Sequence, residues 1–493
     1  MEIQDKEFVT KKETALPSKI KTTFRGDVLR LVSGTAAAQG ITLAAAPLLT
    51  RIFSPEAFGL AALYLALASI AGVVSCLRYE LGIVLPDDDD EAANVFGLAI
   101  LCSAVISLLL AALVWFFGPI LSVMMDAPKL APLLWLLPVS TFVHGTYLAL
   151  NYWNTRTKRF LRLSIARVGQ TAGSVSGNLI AGSLGHASGG AMIIAHLVGQ
   201  IVGVSLLGGQ IFREYGRFFV TNIRWRGVRR QAERYAQFPK YSVGSAVMNA
   251  CSAQIPVVLL GYFFNPTIVG FYALGLRVVQ TPLSMIGGAV SQVFVQRAAR
   301  ARAEGAIAPL MEAALRRLWT FGLVPCLAMA VIGGDLFSWV FGTEWREAGV
   351  YAQMLSFWLL TYFISSPLSH LYIVLERQDF ELKINFVILT CRCLAIVAGG
   401  LLQESRLAVG LYSLFGIFAY LYLLTGLSKI AGLGGSGKIW SLLVEGLVKT
   451  YPYVLILLAL FIISPSLVIM ITIAGAVCCI HYYNNRSLLF GRT

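Results

Sequence analysis

RIFSPEAFGLAAL occupies residues 51–63, and YFFNPTIVGFYAL occupies residues 262–274. In register, Phe53, Pro55, Gly59, Ala62 and Leu63 meet Phe264, Pro266, Gly270, Ala273 and Leu274. Each stretch stands between two long apolar runs. Proline stiffens a tight reversal and cannot continue the helix before it. Ser54 and Asn265 directly precede it, where a side-chain oxygen caps the helix that follows. Gly59 and Gly270 permit close approach of another helix. The same helical hairpin is therefore written twice.

Two weaker echoes follow in the same order. GPILSVMM from Gly118 is answered by GDLFSWVF from Gly334, and TKRF from Thr157 by RQDF from Arg377. The last pair shares only its phenylalanine. Together they predict two homologous halves of six helices. With six helices each, both halves start on the same side, so the repeat is parallel. The four aspartates at 87–90 have no counterpart in the second half and read as a solvated polar loop.

Of the 493 residues 57% are hydrophobic and 13% charged, with a mean hydropathy of +0.73. A soluble domain carries about a quarter charged residues. This composition belongs to a protein whose solvent is the bilayer. Long continuous apolar runs of about 20 residues predict spanning helices rather than a barrel. The fold class expected is an all-α polytopic membrane protein. It has two pseudo-repeated six-helix lobes plus two C-terminal helices, about fourteen spans in all, with twelve as the alternative. The expected divisions are a cytoplasmic tail at 1–27, a first lobe at 28–210, and a basic cytoplasmic linker at 211–240. A second lobe follows at 241–428, then a connector at 429–449 and a helical hairpin with its tail at 450–493. The first residues lack the apolar middle of a signal peptide. The eight cysteines are scattered, mostly within apolar runs, and suggest helix packing rather than disulfides or metal ligation.

Charge sets the orientation. With the N-terminus inside, only Arg51, Lys129, Arg346 and Arg406 of the 39 basic residues fall in outward loops. Arg30, Arg167, Arg277 and Arg392 fall within spans, and all the others are cytoplasmic, as the positive-inside rule requires. Both termini are then cytoplasmic. The formal charge of +14 is mostly a topology signal, and anionic lipid headgroups suit it better than nucleic acid.

FSPEAFG at the first turn, RYELGIVLPDDDDEA after the second helix and FGTEW at Phe341 resemble the polysaccharide transporter family. Its members are the Wzx-type flippases of bacterial O-antigen and exopolysaccharide assembly. They are grouped with the multidrug and oligosaccharidyl-lipid exporters, a superfamily that includes the lipid II flippases. The resemblance covers nearly the whole chain. It implies two six-helix lobes in a V, in the bacterial inner membrane. It implies movement of an undecaprenyl-diphosphate-linked oligosaccharide from the cytoplasmic to the periplasmic leaflet. It brings a polysaccharide polymerase and a chain-length regulator into view as partners, alongside membrane lipids. Proton or sodium coupling is open at the family level only, and no other cofactor is implied.

Such a cargo has an anionic diphosphate, polar sugars and an apolar tail. It calls for a wet, cationic cleft open to the bilayer, and for no nucleophile. A charge at mid-membrane costs about 2.5–3.5 kcal/mol on insertion scales, so such residues usually turn inward. Arg277 lies well inside its span, opposite Ala66 in the repeat, so fold symmetry does not require it. It is the first candidate for a diphosphate or glycan contact, because the planar guanidinium donates two parallel hydrogen bonds to phosphate. Arg392 is as deep, with a structural role as its rival reading. Arg30 and Arg167 sit near inner ends, where long side chains also snorkel. Arg78, beside Glu80 at the inner mouth, is placed to meet a headgroup, or simply to anchor at the interface. Two residues apart on a helix, Arg78 and Glu80 would not face each other. His144, His196 and His370 could link protonation to movement, although a bonded helix-packing histidine is the commoner case. Gln39, Asn151, Gln170, Asn178, Gln200, Asn249, Gln254 and Gln280 suit sugars or helix glue. No carboxylate lies clearly mid-span.

Enzyme signatures are missing. GLGGSGK at 432–438 has the wrong spacing for a phosphate-binding loop and reads as a flexible connector. A multidrug antiporter of the same superfamily is the nearest alternative, and would want an acidic cation site within a lobe. A membrane polymerase or ligase would want large outward loops, whereas these are short.

Overall fold

The structure, a computed structural model, describes residues 24–463 and 467–490. The expected tail thus lies largely outside the described residues, as does the junction Ser464–Pro465–Ser466 of the C-terminal hairpin. Among the described residues all regular structure is helical. The first six helices are α1 (Phe24–Ile52), α2 (Pro55–Val74), α3 (Asp89–Met124), α4 (Leu136–Arg156), α5 (Phe160–Ser183) and α6 (Gly189–Asn222). A short helix α7 (Trp225–Arg234) leads to α8 (Val243–Phe263), α9 (Pro266–Ala303), α10 (Ile307–Phe341), α11 (Arg346–Ser369), α12 (Leu371–Val374), α13 (Gln378–Leu401) and α14 (Ser405–Ile430). The chain closes with α15 (Ser436–Ile463) and α16 (Leu467–Phe490).

Among the described residues, twelve helices are long and apolar enough to cross a membrane. The chain is a multi-pass membrane protein. Two of the fourteen expected spans are not in that set, α5 and α16. Helix α5 carries Arg162 and Arg167 and is nevertheless a full helix packed between α1 and α6. Helices α3, α6 and α15 are longer than the sequence suggested. The apolar pattern of each stops before its hydrogen-bonded ladder does, so α6 runs on into the basic linker and α15 takes up much of the expected connector.

The repeat is written in the backbone. Left-handed residues fall at matching breaks in the two halves: Asp126 and Gly342 after the third long helix, Lys158 and Glu376 before the fifth, Gly185 and Gln403 before the sixth. The two hairpin turns are capped as expected. Ser54 Oγ accepts from the Ala57 amide at 3.3 Å, and Asn265 Oδ1 accepts from the Ile268 amide at 3.1 Å.

These turns do more than reverse the chain. They pack against each other. A Cβ on Gly59 would collide with the carbonyl of Pro266, and a Cβ on Gly270 with the carbonyl of Pro55. The two halves therefore meet backbone to backbone about a local twofold relation, through α2 and α9. Gly261 of α8 receives Leu63 of α2 in the same region. Trp345, from FGTEW, is buried there, with its indole donating to the Thr50 carbonyl at 3.0 Å and Phe58 edge-on at 4.9 Å. In lipid the hydrophobic effect does not hold helices together; close packing and hydrogen bonds do. This junction supplies both, and it closes one end of the molecule.

The opposite end, which carries the basic connections, is tied within the first lobe instead. Arg156 binds Asp89 at 2.8 Å, and Arg234 of α7 binds Glu91 at 2.6 Å. Asp88 caps α3, accepting from the Asp90 amide at 3.2 Å. The aspartate run is solvated at Asp87, Asp88 and Asp90, as expected, and also starts α3 and, through Asp89, anchors α4. Asn94 donates to the Asn222 carbonyl at 3.0 Å and accepts from the Arg224 amide at 3.0 Å, fastening the linker beneath α3.

Gly270→Ala adds a methyl group where only backbone fits. Overpacking of this kind costs about 1–3 kcal/mol. The variant should unfold at lower temperature, and a cysteine at Phe58 in a cysteine-free background should become open to thiol reagents. An unchanged melting temperature with Phe58→Cys still protected would show that this contact does not hold the lobes.

Candidate functional site

The turns join the lobes at one end, and α2 and α8 keep them in contact as far as Gln254 and Ser69. Helix α9 runs from the closed junction down the second lobe. Its packed side includes Leu274, Gly275 and Val279. Its open side carries Arg277, then Ser284, Met285, Ile286 and Gly288. Arg277 is accessible to solvent and is nonetheless enclosed by protein. A side chain on a cleft-facing side of α9 is in this position. The charge reaches across to the first lobe, where His196 of α6 lies within electrostatic range.

The Arg277 guanidinium has no hydrogen-bond or ion-pair partner among the described residues, although its backbone carbonyl accepts from Thr281 Oγ1 at 2.7 Å. A permanent cation left unpaired at this depth is costly. An anion arriving there would find the Arg277 donors unoccupied.

Arg392 is arranged differently. Its Nη1 donates to the carbonyl and hydroxyl of Ser252 on α8 at 2.9 and 3.2 Å, and Nη2 to Tyr420 on α14 at 3.3 Å. Its guanidinium also lies 6.0 Å from the Tyr412 ring, over its face. It ties three helices of the second lobe together from inside. Arg167 donates to Thr35 Oγ1, joining α5 to α1. Arg30 lies near the start of α1, with its side chain outside those described.

Arg78 corrects the expectation about its neighbour. Helix α2 has ended by Val74, and Arg78 is left-handed, with φ at 65°. A tight 3-10 turn over Tyr79–Val84 then brings Glu80 back, and Arg78 Nη1 lies 3.5 Å from Glu80 Oε1. The helical spacing rule fails because there is no α-helix here. Burial pushes the Glu80 carboxyl up from its ordinary range, opposed by its own backbone amide and by Arg78.

The histidines are mostly packing groups. The His370 ring is 3.1 Å from Ser291 Oγ, linking α11 to α9, and the His144 ring rests on Gly72 of α2. His196 Nε2 lies 3.1 Å from Gln200 Nε2, and Ser140 donates to Gln200 Oε1 at 3.0 Å. Gln254 reaches Ser69 across the lobes at 3.5 Å. Among the described residues no group of His, Cys, Asp or Glu is arranged to hold a metal ion.

The two deep arginines make opposite predictions for stability. Arg392→Leu strands Ser252 and Tyr420, and charge-assisted hydrogen bonds are worth about 1.5–3 kcal/mol each. Arg277→Leu breaks no bond and removes an unpaired charge. In detergent, Arg392→Leu should lower the melting temperature by several degrees, and Arg277→Leu should leave it unchanged or raise it. The reverse order would contradict these assignments.

No curated protein sequence matches the chain. Among solved structures it is similar to "Lipid II flippase MurJ, inward closed conformation", at 13% identity and a TM-score of 0.72, covering 94% of this chain and 100% of that one. It is also similar to a MATE transporter solved in complex with MaL6, at 14% identity and a TM-score of 0.52, covering 83% of this chain and 97% of that one. Both likenesses are of fold. The sequence profile of the family described as "Polysaccharide biosynthesis protein" matches residues 48–350, more than half the chain and including both hairpin turns, Arg78, Arg167 and Arg277. The chain belongs to that family.

Proposed function

We propose that this protein is a lipid-linked oligosaccharide flippase. It moves undecaprenyl-diphosphate-linked repeat units from the cytoplasmic to the periplasmic leaflet by alternating access, for O-antigen or exopolysaccharide assembly. The observation that carries this reading is the unpartnered Arg277, exposed on α9 below the junction where the two halves meet. The family supports the polysaccharide context, and the flippase and transporter folds support transport rather than catalysis.

The basic end is cytoplasmic on this reading and the paired turns are periplasmic, which places both termini inside the cell in the inner membrane. On this reading the cleft is open to the cytoplasmic leaflet when the cargo enters. A diphosphate entering there meets Arg277 at about mid-depth. The sugars occupy the hydrated cleft, and the polyprenyl tail stays in lipid. Anion binding compensates the Arg277 charge. Closure at the inner end and separation of the Gly59–Gly270 junction then release the headgroup on the far side. Arg78 meets the headgroup at the inner end, and Arg392 keeps its lobe rigid while it moves. A polymerase and a chain-length regulator would act on the released unit.

A multidrug antiporter remains the second reading. The unpaired charge in this cleft is positive, which suits an anionic cargo and opposes a cationic one.

Arg277→Ala should leave the protein inserted and abundant, and should abolish or cut at least tenfold the export of repeat units, with the lipid-linked unit accumulating in the inner leaflet. Arg277→Lys should restore part of the flux, since a point charge replaces a bidentate fork. Normal surface polysaccharide in the Ala variant would remove Arg277 from the mechanism.

A further inference from the structure

Glu80 is a buried carboxylate at the inner end of the first lobe, 1% exposed. Its only cationic contact is loose, at 3.5 Å to Arg78 Nη1. Its second oxygen, Oε2, is buried without a hydrogen-bond partner, and so is Arg78 Nε. A paired carboxylate would ordinarily saturate both oxygens, because an unsatisfied buried charge is expensive. This pair is asymmetric in access as well. The Glu80 side chain is 2% accessible and that of Arg78 30%. One partner is sealed in and the other faces the mouth of the cleft.

The surroundings offer Glu80 no substitute for Arg78. On its own segment it faces Cys76 and Tyr79; from α3, Cys102; from α4, Tyr152. Arg156, also on α4, reaches the Ile83 carbonyl at 3.4 Å but is committed to Asp89. From α7, the Ala232 carbonyl accepts from Tyr79 at 3.2 Å and brings no charge.

We propose that Arg78 and Glu80 form a proton-coupled anion site, in which Arg78 takes a phosphate group of an arriving lipid headgroup and Glu80 takes up one proton from solution. The proposal rests on the flippase reading and adds a coupling step to it. The accessible end of the Arg78 guanidinium, which now meets Glu80 only at 3.5 Å, would serve a phosphate well. Once the guanidinium is engaged by an anion, its field at Glu80 is offset, and a lone carboxylate in an apolar enclosure is better off neutral. Burial already pushes Glu80 in that direction, and the attraction of Arg78 is what opposes it. The balance is one proton bound for one anionic group bound, with Arg78 charged throughout. By linkage, affinity for the anion rises as pH falls.

The test is calorimetric. Undecaprenyl diphosphate is titrated into the detergent-solubilised protein near neutral pH, in two buffers of different ionisation enthalpy. A second arm uses phosphatidylglycerol. The wild type should take up roughly one proton per undecaprenyl diphosphate bound, with affinity rising up to about tenfold per unit fall in pH. Glu80→Gln should bind with no proton uptake and a flat pH profile. A merely structural Glu80 would change the melting temperature and leave the stoichiometry alone. Should Glu80→Gln fail to fold, Glu80→Leu serves instead: it also removes the titrating carboxyl while leaving Arg78 to bind, and uptake is again lost. Uptake in both lipid arms keeps the coupled site and assigns it to phosphate headgroups in general. Binding without uptake in the wild type, or uptake that survives in Glu80→Gln, overturns the proposal while leaving the flippase reading in place. Failure of the wild type to bind undecaprenyl diphosphate overturns both.

Discussion

Two glycines hold this architecture in register. Gly59 and Gly270 each lie against the carbonyl of the other half's turn proline, so neither position tolerates a side chain without displacing backbone. Because the contact is reciprocal, it fixes the relation of the two halves at a single end. Trp345 then fills the space beside it and bonds back to Thr50. The cleft is a consequence. Two bundles held together through α2, α8 and α9 leave the far side of α9, which starts at the junction, to line what lies between them.

That geometry decides what the buried charges can do. Arg392 and Arg277 are similar in depth and type, yet one is consumed by Ser252, Tyr420 and Tyr412 and the other is left unpartnered. A guanidinium with its donors occupied is a strut. With its donors empty and water beside it, it is a receptor for anions. On the proposed reading, the membrane's reluctance to hold the Arg277 charge is what makes a diphosphate welcome there. The same logic applies in miniature at Arg78 and Glu80, where a poorly matched pair sits at the cleft's mouth.

Much of this was legible in the sequence, with identifiable exceptions. Hydropathy gave the helices, and the prolines gave the turns. The echoes at Gly118 and Thr157 gave a repeat that reappears as matching left-handed residues. The glycines were read as sites of close approach, but the sequence did not say that their partner was each other. A small residue at the same register in both halves of a parallel repeat is the signal that would have found it. Arg78 and Glu80 were misjudged because a helical spacing rule was applied beyond the end of a helix. Asp89 was misjudged because its partner, Arg156, comes from another hairpin, and no local pattern joins them. Tyr412 and Tyr420 share a face of α14 eight residues apart, but no local pattern joins that face to Arg392 on α13.

The most direct test of the cleft is its wetness at Arg277. In a cysteine-free background, Arg277→Cys would be challenged in sealed vesicles with a membrane-impermeant thiol reagent applied to one face at a time. Rapid modification from the face that carries the basic connections, and protection from the other, is the result this account requires. A cysteine silent to aqueous reagents from both faces, yet modified by a probe dissolved in the lipid, would place the side chain among acyl chains and contradict it.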